Sequence, residues 1–267
     1  MAKVKFTAAL RGEYQHLFDT CQVKPAKAAD VERFVTSLLR NRARYEGVAK
    51  PLGIPWFVVG VIHHLECGQK FDAHLHNGDP LTARTRQEPK GRPPGGNPPF
   101  TWEASATDAL VYDGLDAWDD WSIPGILYCL EDYNGWGYRL YHPEVKSPYL
   151  WSGSNHYVAG KYVADGTWSD TAVSAQCGAA TLLRRLAEKG ALDAASDADA
   201  DLAAAMARKA PLFSYAPRSV TPGGVDLQRF LNGLPGLFLK EDGVLGPKTS
   251  LACEQVFGFR LRGDPEA

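Results

Sequence analysis

The stretch Pro55-Trp56-Phe57-Val58-Val59-Gly60-Val61-Ile62-His63-His64-Leu65-Glu66-Cys67-Gly68 decides how this chain is read. Its apolar residues fall on every side of a 3.6-residue period rather than along one stripe, the mark of a helix buried all round. Pro55 suits a helix start, where a missing N–H costs nothing, and Gly68 suits a stop. The expected element runs from Trp56 to about Cys67 and forms the centre of a helical domain. Its single acid, Glu66, falls in the last turn.

Working outward, the segments from Phe71 to His76 and from Leu81 to Arg86 flank Asn77-Gly78, a pair suited to a tight hairpin turn. A β-hairpin is therefore expected just after the central helix. Upstream, Asp30 is placed to cap a helix to about Tyr45, with Val31, Phe34, Val35, Leu38 and Leu39 at helical spacing. Downstream, Lys90 to Pro99 reads as Pro/Gly loop. Further helices are expected from Thr101 or Trp102 to about Leu115, from Pro124 to about Tyr133, and from Thr171 to Glu188 behind Asp170. After Gly190 the chain turns Ala/Asp-rich and then Pro/Gly-rich, which is linker chemistry. The expected organisation is a large domain at 1–190, a linker at 191–224 and a small module at 225–267. The fold class is mainly α (α+β): a helical domain with a small β-hairpin insertion, then a three-helix C-terminal domain.

Composition narrows the function. Of 267 residues, 45% are hydrophobic and 22% charged, enough apolar material for a packed core. Lys+Arg number 29 against Asp+Glu 31, a net charge of −2, which lacks the basic surplus that nucleic acid demands. No apolar run is long enough to cross a membrane, so no membrane insertion is expected. The first ten residues contain no apolar run of signal-peptide length, so synthesis in the cytoplasm without a signal peptide is expected. The five cysteines are widely spaced with no Cys-x-x-Cys, which argues for reduced thiols rather than a disulfide or zinc framework. A monomer without a cofactor is expected.

Glu66 is the sharpest chemical feature. A carboxyl group beside apolar walls holds its proton to higher pH and can act as a general acid, which glycoside cleavage requires. His63, His64, Asp72, His74, His76 and Asp79 surround it in sequence. Strand alternation would place Asp72, His74 and His76 on one face, offering a second carboxylate, substrate contacts or metal ligands. A second feature is Tyr133-Asn134-Gly135 at a helix end. From Trp136 to Trp168 the aromatic residues are Tyr and Trp without Phe, rings with polar handles that suit a wet, sugar-binding groove.

Together, the helix-terminal Glu66, the β insertion, Tyr133-Asn134-Gly135 and the later Pro148-Tyr149 resemble the goose-type lysozyme and lytic transglycosylase group. That group's usual Glu-Ser pair is Glu66-Cys67 here. The resemblance implies a peptidoglycan hydrolase that cleaves the β-1,4 bond between N-acetylmuramic acid and N-acetylglucosamine. Glu66 would be the acid. Asp79, or else Asp72, would activate water; without either, the substrate's own hydroxyl would close an anhydro ring. Thr82, Tyr133, Asn134, Tyr149 and His76 would position the glycan strand. Near the C-terminus, Glu241-Asp242-Gly243-Val244-Leu245-Gly246-Pro247-Lys248-Thr249 resembles the small three-helix peptidoglycan-binding domain of cell-wall hydrolases, and the three-helix expectation for 225–267 is what that resemblance implies. It implies wall contacts at Asp242, Gly243, Gly246 and Thr249. This domain pairing is similar to that of phage endolysins, which reach the wall after release or through a pore. Two other readings stay open: a zinc-dependent amidase or peptidase using His63, His74 or His76, and a non-catalytic wall-binding protein.

Overall fold

The computed structural model describes residues 4–164, 166–192, 206, 209–234, 237 and 239–267, in two compact units, Met1–Leu192 and Asp193–Ala267. The chain is mainly helical with one small antiparallel sheet. The first unit contains α1 (Ala8–Asp19), α2 (Ala28–Arg40), α3 (Arg42–Leu52), α4 (Trp56–Cys67), α5 (Trp102–Tyr112) and α6 (Ile123–Asn134). These are followed by α7 (Gly137–Tyr141), α8 (Pro148–Trp151), β1 (Lys161–Ala164), β2 (Thr167–Ser169) and α9 (Ala179–Glu188). No single helix among the described residues is long and apolar enough to cross a membrane.

The hub is α4, buried at every residue from Trp56 to Leu65 and packed against α2, α3 and α9. Gly60 lets α2 and α3 close on it: a Cβ there would meet Leu38 Cδ2 at 3.1 Å and the Tyr45 ring at 3.4 Å. Gly68 ends the helix in the left-handed region (φ 60°), with its N–H on His64 O at 3.0 Å and the Gln69 N–H on His63 O at 3.1 Å. Thr101 caps α5 by accepting the Ala104 N–H, and Ser122 caps α6 by accepting the Gly125 N–H. The unpredicted α1 is tied to α6 and α7 by charge. Tyr14 donates to the buried Glu131, and Arg139 binds Glu131 at 2.9 Å and Glu13 at 3.2 Å.

Several expectations are corrected. The single helix from Asp30 to Tyr45 is two, α2 and α3, broken at Asn41, whose Nδ2 donates to Ser37 O at 2.9 Å. Asp30 lies inside the first turn of α2 and pairs with Arg33 instead of capping. The hairpin after α4 shrinks to one bridge, Ala73 opposite Pro80. The His74 N–H reaches Asp79 O at 2.7 Å and the Leu81 N–H reaches Asp72 O at 3.1 Å, but Pro80 has no donor to extend the ladder. The sheet forms instead from β1 and β2 around Gly166 (φ 67°). Finally, α9 starts at Ala179 rather than Thr171. Residues 171–178 run across α8, with the Ser174 N–H on Tyr157 Oη at 3.1 Å and the Gly178 N–H on Ser152 O at 2.8 Å. Asp170 accepts from Trp168 Nε1 and caps no helix.

The described part of the second unit holds two α-helices, α10 (Gly224–Asn232) and α11 (Pro247–Phe257), around a core of Leu227, Leu231, Leu245, Ala252, Cys253 and Leu261. The segment expected as linker belongs to this unit from Lys209 onward. Phe213 and Tyr215 pack on the core, the Tyr215 N–H binds Arg262 O at 3.0 Å, and the Ala216 N–H binds Leu245 O at 2.9 Å. The Ala/Asp-rich stretch 193–205 lies outside the described residues.

Candidate active site

Glu66 leaves the core on the last turn of α4 and is half-buried. The Tyr149 hydroxyl donates to its Oε1 at 2.9 Å. Tyr149 is placed by α8, a short helix started by Pro148 and anchored by the buried Leu150 and Trp151. Gln176 Nε2 caps the Leu65 carbonyl at 3.0 Å, tying the 171–178 segment to the end of α4. Burial raises the Glu66 pKa above the usual carboxylate range; the Tyr149 bond pulls it down and the charge of Asp113 pushes it up. Each of these effects acts on how long the carboxyl group keeps its proton as pH rises.

Tyr133 stands on the last turn of α6. Its phenol is pushed far up, first by burial, then by the charges of Glu66 and Asp113. Asp113 is the C-cap of α5 and an exposed residue whose carboxyl is partly desolvated by its neighbours. Its own pKa is raised by the protein around it, against the lowering effects of Tyr133 and the Arg92 charge. The charges of Glu66 and Asp113 are felt at the phenols of both Tyr133 and Tyr149. The sequence reading missed Asp113. Its only signal was Asp113-Gly114 ending a helix, which is as common in ordinary helix termini.

The other expected residues divide. Asp79 organises its loop: Oδ2 accepts the Arg86 N–H at 2.7 Å, the Gln87 N–H at 3.0 Å and Asn77 Nδ2 at 3.2 Å. Those bonds lower its pKa and occupy its Oδ2. Asp72 is exposed just before the bridge residue Ala73, and Thr82 is exposed two residues past Pro80. Asn134 is exposed at the end of α6 beside Tyr133. His76 is not open for substrate: its side chain is fully buried, with Nε2 on Asp108 at 2.9 Å, and Arg92 grips the same carboxylate at 2.6 Å.

The histidines of the zinc reading are structural. His63 bonds Tyr45 Oη and the Lys70 carbonyl, both at 3.0 Å, and burial depresses its pKa to about 4. His74 bonds Ser105 Oγ at 2.8 Å and the Ala83 carbonyl at 2.7 Å. Neither has a ring nitrogen to spare for a metal. Among the described residues no group of three or more His, Cys, Asp or Glu is placed to hold one.

In the second unit the Asp-Gly-x-x-Gly-Pro-x-Thr string closes on Gln228 of α10. Gln228 Oε1 accepts the Gly243 N–H at 2.7 Å, and its Nε2 reaches the Val244 carbonyl at 3.1 Å and Thr249 Oγ1 at 3.4 Å. Asp242 accepts the Val244 N–H at 2.9 Å, and Gly246 and Pro247 start α11. Thr249 is buried, so it builds the turn and is not a wall contact.

No protein-family model, curated protein or solved structure matches the chain.

Proposed function

We propose that the first unit is a glycosidase acting on peptidoglycan, with Glu66 as the general acid that protonates the glycosidic oxygen between N-acetylmuramic acid and N-acetylglucosamine. The observation that carries this reading is a desolvated carboxyl group, held by a tyrosine hydroxyl, at the solvent end of a buried helix. A residue that must keep its proton near neutral pH and then release it needs this environment. Tyr133, Asn134 and Tyr149 would hold the sugars. The second unit would keep the enzyme on the wall, through the surface that Asp242, Gly243 and Gly246 shape. The likeness of two separate motifs to cell-wall enzymes supports one substrate for both units.

The test is mass spectrometry of fragments released from purified peptidoglycan by the wild type and by Glu66→Gln. Glycan fragments from the wild type alone, with the variant folded, are the expected result. Freed stem peptides, or a fully active variant, would overturn the reading.

A further inference from the structure

We propose that Gln176 is a positioning residue of this site: it ties the last turn of α4 to the chain that carries Tyr149, and so holds the Glu66 carboxyl group against the Tyr149 hydroxyl. What the pair does rests on the glycosidase reading above. Gln176 Nε2 donates to the Leu65 carbonyl at 3.0 Å. That carbonyl and the Glu66 N–H belong to one peptide group, so the bond acts on the backbone of the acid itself. The helix leaves this carbonyl open. The Gly68 N–H goes to His64 O at 3.0 Å, and the Gln69 N–H, four residues on from Leu65, turns back to His63 O at 3.1 Å.

The same segment grips α8. The Gly178 N–H donates to Ser152 O at 2.8 Å, Thr181 Oγ1 donates to that oxygen at 2.9 Å, and Ser152 Oγ donates to Ser174 O at 3.2 Å. Ser152 in turn closes the helical turn that carries Tyr149, with its N–H on Pro148 O at 3.1 Å. Tyr149 then reaches Glu66 Oε1 at 2.9 Å. The contacts form a closed ring, from the Glu66 backbone through Gln176, Gly178, Ser152 and Tyr149 to the Glu66 carboxyl group.

Gln176 is exposed, yet its backbone is held on both sides. Ser174 and Cys177 are buried, the Ser174 N–H bonds Tyr157 Oη at 3.1 Å, and Lys27 Nζ donates to Ala175 O at 3.0 Å. A group that must transfer a proton in place needs such a supporting shell, since a misplacement of about 1 Å can cost 10²-fold in rate. The ionisable groups felt at Glu66 are Tyr149, whose bond lowers its pKa, and Asp113, whose charge raises it; the Glu66 charge is felt in turn at Tyr133 and Cys67. Gln176 is neutral, so its loss reaches the titration of Glu66 through geometry.

The experiment is a double-mutant cycle in the full-length protein: wild type, Gln176→Met, Tyr149→Phe and the double variant, with Gln176→Ala as a second replacement and urea midpoints recorded for each. Gln176→Met keeps the length of the side chain and removes the donor. The Glu66 titration is read from its carboxyl carbon-13 shift, assigned with Glu66→Gln, and kcat and KM are measured on purified peptidoglycan. In Gln176→Met the Glu66 titration should move to higher pH, and kcat should fall about tenfold at unchanged KM. In the Tyr149→Phe background the same replacement should move the titration no further. An unmoved titration or an undiminished kcat in both folded Gln176 variants overturns the assignment, as does an equal shift with and without the Tyr149 hydroxyl; an inactive Glu66→Gln keeps the glycosidase reading in each case. An active Glu66→Gln, or no glycan release by the wild type, overturns the glycosidase reading, while the titrations still decide for or against Gln176.

Discussion

Replacing His64 by Leu should change how the stability of the first unit responds to pH. His64 is buried in α4 against the Phe34 ring at 4.2 Å; its Nδ1 contacts Gln69 at 3.4 Å, and its Nε2 has no partner among the described residues. Burial lowers its pKa from 6.5 to about 4. In the unfolded chain the same ring titrates near its ordinary value, so as pH falls the unfolded state takes up the proton first. The stability associated with a neutral His64 is complete above pH 6.5 and is lost between there and pH 4. Each tenfold difference in proton affinity between the two states is worth about 1.4 kcal/mol, so the loss is about 2 kcal/mol at pH 5 and about 3 kcal/mol below pH 4. All seven tryptophans lie in the first unit, so urea unfolding followed by tryptophan fluorescence reports that unit alone. The stability difference between wild type and His64→Leu should move by about 2 kcal/mol in favour of the variant from pH 7 to pH 5. Groups that titrate alike in both proteins cancel in that difference. Parallel pH profiles would show that His64 is not held neutral by burial.

Tyr149→Phe removes the bond that lowers the Glu66 pKa, so activity should persist to higher pH; an alkaline limb in the same place would refute the role of that hydroxyl. Arg139→Met leaves the buried Glu131 carboxylate without its cation and should cost about 3 kcal/mol or more in urea unfolding at pH 7. Gly178→Ala would set a Cβ 2.4 Å from Leu150 O and 2.8 Å from Ser152 N, so it should cost about 2 kcal/mol and lower activity by shifting α8 and Tyr149; an unchanged urea midpoint would contradict that packing. Asp79→Ala should loosen the 85–87 loop, read as faster amide exchange at Arg86 and Gln87.

Local chemistry was legible wherever one short signal decided the outcome. Pro55, Gly68 and an unbroken apolar run placed α4 and put Glu66 on its final turn. Thr101 and Pro124 marked the starts of α5 and α6. The expected hairpin failed because Pro80 sits where a ladder donor is needed and because Asp79 is engaged by loop amides. The strands that do pair flank Gly166, whose positive φ suits a tight turn, and carry Tyr162 opposite Trp168. Asp170 and the helix-like stretch after it misled, since the bonds of Ser174 to the Tyr157 hydroxyl and of Gly178 to the Ser152 carbonyl outweigh helix propensity there.

By itself the sequence determined that α4 is buried, that a carboxylate ends it, and that Gly243 and Pro247 punctuate a second small unit, because backbone restriction and hydrophobic period act within a few residues. Tertiary structure alone decided which groups meet Glu66. Tyr149 lies 83 residues further along the chain, and only the placing of α8 beside the end of α4 brings its hydroxyl to Glu66. It also decided that Asp79, His63, His74 and His76 serve the scaffold: a polar side chain's role follows from what satisfies its hydrogen bonds, and those partners come from elsewhere in the fold.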